Sequence, residues 1–306
     1  MPEGHTLHRL AGALDRAFAG GPVMASSPQG RFVEGAALLD GVEVEQAHAW
    51  GKHLFVDFAG ERILNVHLGL IGVFDVTPYT GGPAALPPPV GAVRLRLANA
   101  RFVADLRGAT VVDVITPEQA DAIVARLGPD PLRVGQPGND PERSLAKLAR
   151  TDRPVAELLM DQSVIAGVGN VYRAEVLHRH RVSPFTPGRK VRPKTWLTMW
   201  DDLVDLLPLG VAFGQIITLP EQVEAALAYL ADPAHTAFAA SWRGAAEGER
   251  GRGPRRPAYE AVSPFPREYA VYKRTGMPCP TCGSKVQTRL LAGRNLYWCG
   301  RCQRRT

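Results

Sequence analysis

Apolar residues recur at helical spacing near the start of the chain. Leu7, Leu10, Ala11, Leu14 and Phe18 in TLHRLAGALDRAF predict a first helix over 6–18. From about residue 42 to 115 the period drops to two. VEVEQAHAW, HLFVDFA, RILNV, VFDV, AVRLRLA, RFVADL and TVVDV are short alternating stretches parted by Gly, Pro or Asn. Seven short strands with no long helix among them predict an antiparallel sandwich. GGPAALPPPVG at 81–91 reads as a stiff loop. Beyond residue 116 the helical period returns in PEQADAIVARLG, PERSLAKLART, RPVAELLMD, VGNVYRAEVLHRH and PKTWLTMWDDLVDLLPLG, punctuated by Gly128 and Pro154. PEQVEAALAYLA predicts one more short helix, and EGERGRGPRRP reads as solvated and flexible.

These patterns give an α+β fold class. A β-sandwich domain with an N-terminal helix is expected at 1–130 and a helical domain at 131–262, with a flexible insertion at about 219–261. A small terminal module follows at 263–306. A chain of 306 residues is long enough for about two domains with buried cores. With 45% hydrophobic and 22% charged residues, the composition is that of a soluble globular protein. It has no apolar run of membrane-spanning length, about 20 residues, and no signal-peptide order at its start. A cytoplasmic, membrane-independent protein is the expectation.

Charge changes the picture more than composition does. The net charge is +6, yet residues 243–306 hold fourteen Lys/Arg against four Asp/Glu, while the first 242 hold twenty-two against twenty-six. The basic excess sits in the last fifth of the chain. It suits either an anionic partner such as nucleic acid or a solubility device. All four cysteines lie in the same stretch, as CPTC and CGRC at Cys279, Cys282, Cys299 and Cys302. Two matched CxxC turns separated by sixteen residues predict a ribbon binding one zinc ion through four thiolates. Four thiolates leave no open coordination position, so this zinc is structural. Its binding stabilises a module with little apolar core.

MPEG at 1–4, GKHLF at 51–55, HLGLIG at 67–72, DQSVIAGVGNVYRAEVL at 161–177 and GRNLYWCGRCQ at 293–303 together resemble the formamidopyrimidine-DNA glycosylase/endonuclease VIII family. These are bifunctional DNA repair enzymes with a helix-two-turn-helix motif and a zinc finger. The resemblance runs through nearly the whole chain in the family's order. It implies a catalytic sandwich domain, a helix-two-turn-helix domain and a zinc-finger DNA-binding module, acting as a monomer on damaged duplex DNA.

The resemblance also implies roles for individual residues. Pro2, once Met1 is removed, matches the nucleophile. An α-amino group titrates at about 7.7–8.0, so a neutral fraction is present at cellular pH, and its attack on C1′ forms an iminium ion that promotes strand cleavage. Taken alone, a proline here merely starts a helix. Glu3 matches the acid that protonates the sugar ring oxygen, with burial expected to raise its pKa; alone, it is an acidic residue at a helix N-terminus. Lys52 matches a lysine contacting the phosphate beside the lesion. Leu70 matches the wedge that fills the stack when a nucleotide flips out. Asn170, after the turn Gly167-Val168-Gly169, matches a DNA-binding asparagine; it also suits an N-cap on a helix whose free N–H groups face a DNA phosphate. Arg294 matches a phosphate-binding arginine on the zinc hairpin, and Arg107 an orphan-base reader.

Departures from the family pattern narrow the reading. Thr6 stands where many members carry a second Glu, and His5 where a proline is common. Gly108 and Ala109 replace the aromatic that follows the arginine in the formamidopyrimidine branch, and Ile71 replaces the aromatic of endonuclease VIII. The balance favours the endonuclease VIII-like branch: excision of oxidised pyrimidines with cleavage by β,δ-elimination. The alternatives are a formamidopyrimidine/8-oxoguanine glycosylase and a non-catalytic zinc-ribbon damage binder. His178 and His180, two apart on a helix, are expected to be a solvated helix end, and Asp201 and Asp202 an exposed acidic edge.

Overall fold

A computed structural model describes residues 2–232 and 263–304. The chain forms two compact units. The first holds Thr6–Ala125 with Pro2; the second holds Glu3–His5 and, among the described residues, 126–232 and 263–304.

In the first unit the predicted sandwich is present. Helix α1 (Gly4–Phe18) starts two residues earlier than the apolar spacing indicates, and buries Leu7, Leu10, Leu14 and Phe18 in the sandwich core. The seven predicted strands are β3 (Glu43–Trp50), β4 (His53–Phe58), β5 (Arg62–His67), β6 (Val73–Pro78), β7 (Leu95–Ala98), β8 (Phe102–Arg107) and β9 (Val111–Ile115). Two short strands precede them, β1 (Gly21–Pro22) and β2 (Met24–Ser26), with helix α2 (Val33–Leu39) after β2. One sheet runs β1-β3-β4-β5-β9 and the other β2-β7-β8-β6, all antiparallel. Between them pack Leu54, Val56, Leu64, Val66, Phe74, Val76, Leu95, Leu97 and Leu106, the inward members of the period-two pattern. The Pro-rich loop is held rather than merely stiff. Arg96 donates to the Pro87 carbonyl (2.6 Å) and Arg107 to that of Val90 (2.8 Å).

The second unit is helical with a terminal hairpin. Helix α3 (Pro117–Arg126) belongs to the first unit up to Ala125; the helices of the second are α4 (Glu142–Leu148), α5 (Val155–Leu158), α6 (Asn170–Arg179), α7 (Pro193–Phe213) and α8 (Pro220–Ala231). RPVAELLMD therefore forms only one turn, because Pro154 blocks N-terminal extension. Tyr172, Val176 and Leu177 of α6 pack with Trp196, Met199, Leu203 and Leu207 of α7. The hairpin is β10 (Gln287–Leu291) with β11 (Arg294–Trp298). Of the expected flexible insertion, 220–231 is the helix α8; residues 233–262 lie outside the described residues. Among the described residues no helix is long and apolar enough to cross a membrane.

Candidate functional site

Glu3 has no exposed surface. Its carboxylate takes hydrogen bonds from the backbone N–H groups of Gly169 (2.9 Å) and Tyr172 (3.4 Å) on Oε2 and of Val171 (2.8 Å) on Oε1. These are free donors of the first turn of α6, where the helix dipole also favours an anion. The anion at this helix N-terminus is thus a carboxylate of the chain itself, correcting the expectation of a DNA phosphate there. Asn170 is not the cap either: Gly169 is, and Asn170 is the first helical residue. Its buried side chain donates to the Asn295 carbonyl (3.0 Å) and accepts from Arg173.

The turn needs its glycines. Gly167 has φ +85°, and its carbonyl accepts from Gly4 N–H at 2.7 Å. A Cβ on Gly4 would lie 2.7 Å from Gly167 Cα, and one on Gly169 only 2.4 Å from the Glu3 carboxyl carbon. His5 is buried edge-on to Tyr172, with ring centres 5.6 Å apart.

Arg173 is a residue that motif reading misses. It is fully buried, and it donates to Asn170 Oδ1, to the Asn295 carbonyl (3.2 Å) and to that of Ala156 (3.4 Å). Burial pushes its pKa down to about 10; Glu3 opposes that shift and Arg294 adds to it. Glu3, Arg173 and Arg294 are therefore electrostatic neighbours within the second unit. Arg294 opens β11, half-buried, after a turn through Ala292 and Gly293 at positive φ. The sequence signal for Arg173 was its place three residues after Asn170, on the same helix face.

The first unit carries Pro2, Lys52, Leu70 and Arg107. Lys52 lies in the β3–β4 turn behind Gly51, at φ +58°. Beside it, His53 and His67 meet edge-on with centres 5.1 Å apart. Gly69 N–H donates to His67 Nδ1 (3.1 Å), which places that ring's proton on Nε2. Burial, with His53 and Lys52 adding to it, pushes the His67 pKa down to about 4. Leu70 and Ile71 stand at the β5–β6 turn, 46% and 81% exposed, an apolar pair in a loop where polar residues are the rule. Gly72 lets that loop close, since a Cβ there would lie 2.2 Å from the Leu68 carbonyl. Arg107 pairs with Asp75 (2.7 Å) and with Asp105 (2.9 Å), and Asp105 also binds Arg96 at 2.6 Å. With Val90 as a third partner, its guanidinium is occupied on every nitrogen.

Cys279, Cys282, Cys299 and Cys302 bring their sulfurs within 4.8 Å of one another. Two of these distances are 3.9 Å (Cys279–Cys302) and 3.4 Å (Cys282–Cys299). A tetrahedral ion with bonds of about 2.3 Å requires sulfurs about 3.8 Å apart, so the set fits one structural zinc ion. The terminal histidine pair differs from the expected solvated end. His178 is 6% exposed, with Nε2 3.4 Å from Cys279 Sγ. His180 and Arg179 both bind Asp202, at 3.0 and 2.7 Å, so Asp202 is no free acidic edge. The expectation failed because it weighed only partners on the same helix.

Comparison with known proteins agrees with this construction. The chain matches the models of the formamidopyrimidine-DNA glycosylase N-terminal domain over residues 1–113 and of that family's H2TH domain over 127–221. It also matches the zinc finger found in FPG and IleRS over 276–305. It is 44% identical to "Endonuclease 8 1" of Mycobacterium tuberculosis, over 99% of this chain and 100% of that protein. It is 31% identical to the formamidopyrimidine-DNA glycosylase of Thermus thermophilus, over 87% and 85% respectively. The crystal structure of Lactococcus lactis Fpg with N7-benzyl-Fapy-dG DNA shares the fold at a TM-score of 0.75, with 18% identity and coverage of 99% and 100%. With three family models matching most of the chain and a full-length relative at 44% identity, the chain belongs to the formamidopyrimidine-DNA glycosylase/endonuclease 8 family of base-excision-repair DNA glycosylases.

Proposed function

We propose that this glycosylase is also an abasic-site lyase, that it acts on oxidised pyrimidines in duplex DNA, and that Pro2 is its nucleophile once Met1 is removed. The observation that carries the reading is the placement of Glu3. A fully buried carboxylate, clasped by the first turn of α6 and next in the chain to Pro2, is more elaborate than a helix start requires.

The Pro2 amine attacks C1′ as the glycosidic bond breaks, and the bonding pair leaves with the base. As the C–N bond forms, the Pro2 N–H proton passes to the Glu3 carboxylate, which delivers it to the ring oxygen as the C1′–O4′ bond opens, and an iminium ion results. Loss of the C2′ proton then expels the 3′ phosphate, and a second elimination expels the 5′ phosphate. Backbone donors on both Glu3 oxygens fix the carboxyl's orientation through this cycle. Lys52 holds the phosphate beside the lesion, and Arg294 and Asn170 bind the DNA backbone. Leu70 wedges into the stack, and its exposure suits that task. Arg107 reads the orphan base by exchanging one of its partners among Asp75, Asp105 and the Val90 carbonyl for it, and Gly108 and Ala109 leave no aromatic beside the arginine. This favours pyrimidine lesions over the 8-oxoguanine alternative. The domains are read as 1–130, 131–262 and 263–306, in a cytoplasmic monomer.

The test is borohydride trapping on duplex DNA carrying thymine glycol, 8-oxoguanine or an abasic site. A covalent adduct that disappears when the N-terminus is extended by one residue, with thymine glycol excised faster than 8-oxoguanine, is expected. An adduct that persists when the N-terminus is extended removes Pro2 as nucleophile. Binding without excision of any lesion would leave the damage binder as the correct reading.

A further inference from the structure

The helix that clasps Glu3 at one end meets the cysteine ribbon at the other. Along α6, Asn170 and Arg173 bind the Asn295 carbonyl on β11. Ala174 packs with Cys279, Val286 and Cys299. Glu175, without exposed surface, accepts from the backbone N–H groups of Ala270 (2.8 Å), Val271 (3.0 Å) and Tyr272 (2.9 Å). One turn beyond Ala174 stands His178, with Nε2 3.4 Å from Cys279 Sγ, a sulfur contact within hydrogen-bonding range. Both residues are buried, at 6% and 2% exposure. Gln303 ties the ribbon down next to it, accepting from Cys299 N–H (2.7 Å) and donating to the Val182 carbonyl (3.2 Å).

A zinc-bound cysteine is a thiolate and can only accept. The ring nitrogen facing it must therefore carry the hydrogen. Four thiolates on one Zn2+ leave a formal charge of −2 in a site where Cys279 and Cys299 are buried, and a hydrogen bond to sulfur withdraws part of it. We infer that His178 donates its Nε2–H to the zinc-bound Cys279 thiolate, so that α6 orients one zinc ligand and slows loss of the metal. The inference rests on zinc binding alone and stands apart from the chemistry on DNA.

His178→Phe keeps a ring but removes the donor, whereas His178→Gln places an amide N–H at about the same reach. Zinc release to a chromogenic chelator should be about tenfold faster in His178→Phe, the lower end of the usual effect of such partners, and restored in part by His178→Gln. With Co2+ in place of zinc, the thiolate charge-transfer band of His178→Phe should shift to lower energy, a change that looser packing alone does not produce. The unmutated protein provides a second measurement, independent of whether the variants fold. Loaded with 113Cd, it should show scalar coupling between the metal and the His178 Hε2 proton. Absence of that coupling, equal release rates for folded His178→Phe and the parent protein, or a cobalt spectrum of three sulfurs and one nitrogen would each overturn the inference.

Discussion

Glu3 places a carboxylate where water does not reach, and such a group is costly unless donors satisfy it. Three backbone N–H groups do so and fix the carboxylate's orientation. Glu3→Gln turns one acceptor into an NH2 group facing a backbone donor. One buried N–H loses its partner, so stability should fall by about 1–3 kcal/mol. Excision in single-turnover assays should fall further, by about 10²–10⁴-fold, the usual contribution of a positioned acid. A variant that lost stability but kept its excision rate would remove Glu3 from the chemistry. His67 gives a second prediction at this scale. Its folded pKa, about 4, lies below the usual 6.5 of an unfolded histidine. Between these values the unfolded chain binds more protons, so stability is complete above about pH 6.5 and declines as pH falls towards 4. The urea midpoint should track this window, and His67→Gln should flatten its slope; equal slopes in the two proteins would assign the acid loss to other groups.

At the scale of elements, α6 explains why the VIAGVGNVYRAEVLH stretch is so informative. Its glycines permit Glu3 to dock, its first turn holds the carboxylate, and its later turns carry the ribbon. Gly169→Ala should drive the new Cβ into the Glu3 carboxyl carbon. Relief requires moving Glu3 off its donors, so a loss of about 1–3 kcal/mol and of excision is expected together, read by thermal melting and single-turnover assay. Unchanged excision would mean that the helix can yield without releasing Glu3. The elements themselves were legible where the pattern was long. Seven strands and α7 follow directly from apolar period, whereas β1, β2 and the seven-residue α2 are too short to show one. The bonds between Glu3 and Gly169 or between His178 and Cys279 span 166 and 101 residues. No local spacing encodes them, so the sequence alone points to a phosphate cradle at the helix N-terminus and to a solvated His178.

At the scale of the molecule, two properties readable from the sequence, the zinc set and the basic tail, lead to separate predictions for folding and for DNA binding. The ribbon buries few apolar residues of its own, so removing zinc should unfold it first. Hydrogen exchange after chelation should expose β10 and β11 while β3, β4 and β5 keep their protection, because the sandwich core contains no cysteine. Simultaneous loss in both units would show that they unfold as one. DNA affinity should carry the signature of the tail's charge. Each phosphate neutralised adds about −0.9 to the slope of log K against log salt. If Arg294 makes one such contact, Arg294→Ala should lower that slope's magnitude by about 0.9 and weaken binding evenly across sequences. Arg301, exposed on the same ribbon, carries the same charge. Arg301→Ala gives the comparison: a slope that changes equally in both variants reports diffuse attraction to the tail, and one that changes only in Arg294→Ala reports a placed phosphate contact.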